Sequence, residues 1–156
     1  SMASASMKKI LLALATVAVA GQVQAGCNSA KALKGTWRYY QAATYAVAKS
    51  NISRCEAAFQ PTDKLTGSFE GYCWISPGKG PKTVNMFGSY AITNPKTCDV
   101  EMLMDMGAMG VSTFNFVLAA DHQTWNGQWT NKAGDWGVTN ATRILGSVVT
   151  PVPPAE

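Results

Sequence analysis

The chain has 156 residues, with 13 Lys and Arg against 9 Asp and Glu, and its formal net charge is +4. This length fits one ordinary domain. Charged residues make up only 14% of the chain, and the two signs are interspersed, so no basic patch points to nucleic acid. Composition therefore indicates one small globular domain that does not bind DNA or RNA.

The first residues have the organisation of a leader. Residues 1–6 (SMASAS) resemble a cloning remnant placed before a natural start at Met7. Over residues 7–25, a basic Lys8-Lys9 pair, an apolar run and a small-residue cleavage site predict a secretory signal peptide. The apolar run is shorter than the about 20 residues that a membrane span needs. We therefore expect no transmembrane segment and a periplasmic or secreted protein.

The remaining chain divides into a domain and a tail. We predict one β-barrel domain over residues 26–146 and a proline-rich disordered tail over 147–156, because proline does not fit a central strand. Ala25-Gly26-Cys27 also resembles the end of a lipoprotein box, although Gln24 stands where such boxes usually carry an aliphatic residue. Release as a free protein is favoured over lipidation of Cys27.

Cysteine number supports that choice. The four cysteines, Cys27, Cys55, Cys73 and Cys98, form two disulfides in an oxidising compartment, whereas lipidation of Cys27 leaves an odd thiol. Cys55 and Cys73 flank a predicted turn at nearly equal distances, which favours a bridge across a hairpin and leaves Cys27 with Cys98. Three pairings remain open from sequence. No Cys-x-x-Cys occurs, so we expect structural disulfides.

Most of the domain has the pattern of β-strands. Segments rich in aromatic and β-branched residues alternate with turn formers at near-regular spacing, which predicts an all-β fold: an eight-stranded antiparallel up-and-down barrel. A short helical turn with Asn28 as its N-cap precedes the strands. The segment 41–49 fits a short helix or a lid loop equally well. The predicted strands are 36–41, 51–60, 65–76, 83–93, 97–106, 111–120, 123–131 and 135–145.

Methionines are concentrated in one predicted strand. In Glu101 to Met109, strand alternation places Met102, Met104 and Met106 on one face and the acids on the other, so the methionines point inward. They are ordinary core, a soft Cu(I) site, or an adaptable wall around an apolar ligand. Thioethers about 7 Å apart are too widely spaced for joint ligation, and His122 is the only histidine. We expect neither a metal nor a cofactor.

The entry to the first strand resembles a known superfamily. Leu33-Lys34-Gly35-Thr36-Trp37 resembles the Gly-x-Trp entry of the calycin barrels, which include lipocalins, fatty-acid-binding proteins and avidins. Residues 64–71 and 123–129 resemble the Leu-Thr-Gly hairpins and Trp-x-Gly strands of avidins. The resemblance implies that Arg143, on the last strand, lies across Trp37 and closes the barrel. Arg38-Tyr39-Tyr40 follow Trp37 in place of residues that hold biotin, so only the barrel is implied.

We predict from these patterns a non-enzymatic binding protein that holds a small apolar or aromatic ligand inside the barrel. The ligand-lining residues are predicted to be the inward-facing methionines and aromatics of the later strands: Met86, Met102, Met104, Met106, Phe114, Phe116, Trp125 and Trp129. Trp125 and Trp129, separated by Gly127, either form a stacking slot or plug the barrel.

Two other functions remain as alternatives. The loop 77–81 (PGKGP) is a candidate contact for a periplasmic inhibitor of a hydrolase. An isomerase or cyclase would need Glu70 to act as a buried acid inside the barrel. No nucleophile elbow, zinc motif or phosphate loop occurs, and Asp121-His122 is more typical of a turn than of a catalytic dyad.

Overall fold

A computed structural model of the protein describes residues 26–46, 52–76 and 82–146. Within these ranges, eight antiparallel strands pair in chain order, and the last pairs with the first to close a barrel. The predicted fold class is confirmed. The strands are β1 Gly35–Tyr45, β2 Ile52–Pro61, β3 Thr66–Ser76, β4 Lys82–Asn94, β5 Asp99–Asp105, β6 Val111–Leu118, β7 Thr124–Asn131 and β8 Trp136–Ile144.

β1 is longer than its predicted range, and its length corrects the prediction of a short helix or lid loop that starts at residue 41. It continues to Tyr45, so residues 41–45 are neither helix nor lid loop. Gln41 pairs with Ser53 of β2 and with Thr139 of β8, and these partners on both sides hold the alanine-rich segment extended. An irregularity in the pairing with β8 follows between Ala43 and Tyr45. Residues 47–51 lie outside the described part of the chain.

Strand alternation separates the interior from the outer surface. In β5, Val100, Met102 and Met104 are buried while Glu101 and Leu103 are exposed, as the position of the acids predicted. β6 and β8 show the same alternation. The inward face of every strand therefore contributes to one continuous core.

One end of the barrel is closed by a short 3-10 helix, η1 (Ala30–Leu33), which precedes β1. Its N-cap is Ser29 and not Asn28, because the Ser29 hydroxyl accepts a hydrogen bond from the Lys31 backbone N–H. Leu33 is buried, and its carbonyl accepts a hydrogen bond of 2.8 Å from Trp37 Nε1. A second short 3-10 helix, η2 (Gly107–Met109), joins β5 to β6 at the opposite end. Neither helix is long enough to span a membrane.

Arg143 ties the closed end together. Its guanidinium carbon lies 4.5 Å from the centroid of the Trp37 ring, which confirms the predicted pair. The same guanidinium donates hydrogen bonds to the backbone carbonyls of Ala32, Lys34 and His122. Burial lowers the pKa of Arg143 from its ordinary value, but an arginine keeps its charge at neutral pH. One cation thus connects β8, η1, the start of β1 and the β6–β7 turn.

Two disulfides add covalent links, and their pairing is the one that hairpin spacing favoured. Cys55 and Cys73 are directly paired positions of β2 and β3, and both are buried inside the barrel. Cys27 and Cys98 join the segment before η1 to the β4–β5 connection. The described residues contain no free cysteine. Two disulfides are consistent with an oxidising compartment.

Loss of the Arg143 side chain will destabilise the barrel strongly. We expect Arg143→Met to lower the free energy of unfolding by about 2–4 kcal/mol, because three backbone carbonyls lose a charged donor and Trp37 loses its cation. Urea denaturation measures this change. Arg54→Met is the matched control: Arg54 lies 6.0 Å from the Trp74 ring centroid on the outer surface, and its removal should cost less than about 1 kcal/mol. Equal losses would contradict this role for Arg143.

The Tyr90 hydroxyl makes the stability of the barrel depend on pH in the alkaline range. It donates a 2.9 Å hydrogen bond to the Ala30 carbonyl, and burial raises its pKa from 10.0 to about 12. The neutral phenol is the form favoured by folding, so its contribution is complete below pH 10 and is lost as pH rises towards about 12. Tyr90→Phe should therefore flatten the fall in stability over this range, measured by denaturation at each pH. An unchanged slope would contradict it.

Candidate functional site

The eight side chains predicted to line a ligand cavity all point into the barrel and are buried. Several of them pack against one another. Trp125 stacks on Phe116 with ring centroids 4.1 Å apart, and its ring lies 4.9 Å from that of Trp37. Phe59 stacks on Phe69 in the same core. The closed end and the middle of the barrel are therefore filled by side chains, as an eight-stranded barrel allows.

Met104 takes part in a buried polar contact. The Tyr39 hydroxyl donates a hydrogen bond to the Met104 sulfur at 3.0 Å and lies 3.7 Å from the Met86 sulfur. Burial raises the pKa of Tyr39 well above its ordinary value, so the hydroxyl stays protonated and acts as a donor. The Cys73 sulfur lies 3.9 Å from the Met104 sulfur. These contacts make Met104 part of the packed core.

The open end of the barrel, opposite Arg143, contains a cavity of about 110 Å³. Of the eight predicted residues, Met106 and Trp129 line this cavity; the other six lie in the filled interior. Its lining combines apolar, hydroxyl and amide groups: Gln41, Ala43, Ala46, Ser53, Ile75, Met106, Met109, Ser112, Trp129, Asn131 and Asp135.

Trp129 forms a fixed aromatic wall of the cavity. Its indole N–H donates to the Ala42 carbonyl at 3.3 Å, which ties the ring of β7 to β1. The rim beside it is also ordered: Asn131 Nδ2 donates to Asp135 Oδ2 at 3.0 Å, and the Asp135 backbone N–H donates to Asn131 Oδ1. The aromatic wall and the rim are therefore preorganised.

Gln41 supplies the distinctive polar group. Its side chain is only 5% exposed, and its Nε2 donates to the Ser53 hydroxyl at 2.9 Å. The Gln41 Oε1 atom is buried and finds no hydrogen-bond partner among the described residues. A buried acceptor without a partner costs about 1–3 kcal/mol. The wall of the cavity thus contains a buried acceptor without a partner, beside apolar side chains.

The sequence analysis did not identify Gln41, Ser53 or Ser112 as cavity residues, although the alternation of side chains along each strand places all three on the inward face. Gln41 continues the inward series of Trp37 and Tyr39, and Ser53 shares the inward face of Cys55. Ser112 likewise precedes Phe114 on the inward face of β6. A polar residue at an inward position near a strand end marks the mouth of a barrel.

The other candidate sites fare differently. Glu70 lies on the outer face of β3 and is exposed, so the version of the isomerase or cyclase hypothesis with a buried Glu70 is wrong. The loop 77–81 lies outside the described residues.

The Asp121-His122 pair lies in the β6–β7 turn. Asp121 accepts a hydrogen bond from the Gln123 backbone, and the His122 ring lies 3.7 Å from the Cys27 sulfur. Cys27, Cys98 and His122 are the one close group of metal-binding residue types in the described ranges, but both cysteines are disulfide-bonded.

A charged network lies on the outside of the barrel. Glu56 is 4% exposed; its Oε1 accepts from Arg38 at 2.8 Å and its Oε2 from Tyr72 at 2.9 Å. The hydrogen bond to Glu56, with its charge, raises the pKa of Arg38. Burial, followed by the bond to Glu56, raises the pKa of Tyr72. Both Glu56 carboxylate oxygens accept a hydrogen bond, so this network links β2 to its two neighbours, β1 and β3.

Comparison with known proteins supports the fold. No family model and no curated protein matches the chain. Solved structures that it resembles include a redesigned β-barrel, mFAP1, bound to DFHBI (TM-score 0.60, 14% identity, 75% of this chain and 99% of that chain). A second is the redesigned β-barrel b11L5F_LGL (TM-score 0.58, 17% identity, 76% of this chain and 96% of that chain). A third is a de novo designed fluorescence-activating β-barrel (TM-score 0.56, 14% identity, 75% of this chain and 98% of that chain).

The unpartnered acceptor of Gln41 leads to a stability prediction. We expect Gln41→Leu to change the free energy of unfolding by no more than about 1 kcal/mol, because removal of the unsatisfied buried oxygen offsets loss of the hydrogen bond from Nε2 to the Ser53 hydroxyl. Thr139→Val is the contrast: Thr139 is fully buried and its hydroxyl accepts from Trp125 Nε1 at 3.3 Å, so its loss should cost about 1–2 kcal/mol. Thermal and urea denaturation measure both. A loss for Gln41→Leu of more than about 2 kcal/mol, beyond the value of the Ser53 hydrogen bond, would contradict the absence of a partner for Oε1.

Proposed function

We propose that this chain is an exported, non-enzymatic binding protein that holds a small apolar or aromatic ligand at the open end of its barrel. The observation that carries this proposal is that one cavity is lined both by Trp129 and by Gln41, whose carbonyl oxygen is buried without a hydrogen-bond partner. Ligand sites typically combine apolar walls with a few placed polar groups. The ligand therefore carries an N–H or O–H that donates to Gln41.

The cavity limits the part of the ligand that enters. Its volume of about 110 Å³ is smaller than an engineered apolar cavity of about 150 Å³ that accepts benzene. The leading edge of one ring or a short branched chain fits between Trp129, Met106 and Ile75, and the rest of the ligand extends outward through the mouth. Met106 can adjust to different shapes because methionine is unbranched and flexible.

We assign different roles to the eight predicted residues. Met106 and Trp129 contact the ligand directly. Met86, Met102, Met104, Phe114, Phe116 and Trp125 form the packed floor beneath it and set the depth of the cavity.

Two further observations support binding and export. The barrel mFAP1, which this chain resembles in fold, is bound to DFHBI, so a barrel of this fold can hold a small molecule. The two disulfides suit an oxidising compartment outside the cytoplasm. Together with the predicted signal peptide, they support a periplasmic or secreted location.

Phenol and anisole test the proposed donor, because both offer one ring but only phenol has an O–H. Titration of the full chain followed by NMR should show phenol binding about tenfold more tightly than anisole, the value of one buried hydrogen bond. Gln41→Leu should abolish this preference, and Trp129→Ala should weaken both ligands. Trp74→Ala, on the outer face, is the matched control and should change neither.

Two results would overturn the proposal. One is equal affinity of the unmodified protein for phenol and anisole; the other is binding of neither compound by a protein whose fold is intact. Retention of the phenol preference in folded Gln41→Leu would place the ligand elsewhere in the barrel.

A further inference from the structure

The outer face of β6, β7 and β8 carries no charged side chain. Four outward-facing positions on each strand are occupied by amides, threonines, valines and one tryptophan. Asp99 and Glu101 of β5 border this face on one side, and Arg38 of β1 borders it on the other. The neutral face consists of Val111, Thr113, Asn115, Val117, Thr124, Asn126, Gln128, Thr130, Trp136, Val138, Asn140 and Thr142.

The neutral face carries an open depression. A groove of about 590 Å³ runs over it, lined by Asn115, Asn126, Gln128, Trp136 and Val138, with Asp99 at its edge. A second depression of about 250 Å³ continues it past Thr113 and Thr130. This groove is several times larger than the cavity at the open end of the barrel, and Trp129, which lines that cavity, also lines the second depression.

An exposed aromatic ring stands over the groove. Trp136 is 51% exposed although it lies within a strand. Its ring stacks on Tyr45, its pairing partner in β1, with centroids 6.4 Å apart and an angle of 18° between the planes. One indole face is thus supported while much of the ring is open to a ligand.

The amides of the groove are free to bind. Among the described residues, no side chain or backbone group forms a hydrogen bond with the side chains of Asn115, Asn126 or Gln128. Asn115 and Gln128 are paired across β6 and β7, and Asn126 lies one outward position along β7. Each amide offers both a donor and an acceptor, so neighbouring amides can engage adjacent hydroxyl groups.

We propose that this groove binds a neutral oligosaccharide. A sugar ring has hydroxyl groups around its edge, which match amides and threonines, and an apolar C–H face, which packs on an exposed indole. The Asp99 carboxylate at the rim accepts from hydroxyls and disfavours anionic ligands. Among the residues that the structure describes, no cation lines the groove to pair with a phosphate or carboxylate.

The experiment titrates the full chain with neutral hexasaccharides: cellohexaose, chitohexaose, maltohexaose and xylohexaose. Calorimetry should detect binding of at least one of them, and NMR should place the shifts on β6, β7 and β8. An oligogalacturonate of the same length, which is anionic, should not bind. Trp136→Ala should weaken the neutral sugar by about tenfold or more, and Gln128→Ala should also weaken it.

Matched controls separate this site from other surfaces. Trp74→Ala removes a comparably exposed tryptophan from β3 and should leave sugar affinity within about twofold. Gln41→Leu should not affect the sugar, so failure of the cavity proposal leaves this one standing. Binding of none of the four sugars, or equal losses in Trp136→Ala and Trp74→Ala, would overturn it. Sedimentation that shows two copies associating through Trp136 would also overturn it, since the face would then be covered by protein.

Discussion

The rest of the structure depends on one contact inside the barrel, in which the Trp125 ring stacks on Phe116 and lies beside Trp37. A closed sheet of eight strands leaves room for side chains and little else. Large rings at the closed end and in the middle use that space. Within the described part of the chain, the open end, where the inward positions carry Gln41, Ser53 and Ser112, has room for a ligand.

Close backbone approach makes this stack possible. Gly127 lies opposite Phe116 on the paired strand, and a Cβ atom at Gly127 would stand 2.5 Å from the Phe116 Cα. The absence of a side chain there lets β7 lie close to β6, and Trp125 then reaches the Phe116 ring. The glycine between the two tryptophans thus serves packing at Trp125, whereas Trp129, two residues beyond, reaches the cavity.

Much of the fold follows from the sequence because barrel strands have a simple period. Turn formers marked most of the connections, the acids of β5 fixed which way the methionines point, and cysteine spacing favoured the observed hairpin bridge. The split between filled core and cavity did not follow. Strand alternation places Met104 and Met106 on the same inward face. Only three-dimensional packing shows that Tyr39 contacts Met104, whereas Met106 lines the mouth of the barrel.

The two surfaces of the sheet differ in the ligands that they suit. Inward positions near the open end suit a small donor-bearing ligand, and the uncharged outer positions of β6, β7 and β8 suit a larger neutral one. Both arise from the alternation of side chains along the same strands. On these two proposals, one sheet carries two binding sites of different chemistry without an additional domain.

The central claim is that ligands enter at the open end and stop at the packed floor. NMR of methionine methyl groups during phenol titration tests it most directly. We predict that the Met106 methyl signal shifts while those of Met102 and Met104, which are fully buried, remain unchanged. Shifts at Met102 and Met104 without a shift at Met106 would contradict it, because the ligand would then occupy the interior that these side chains fill.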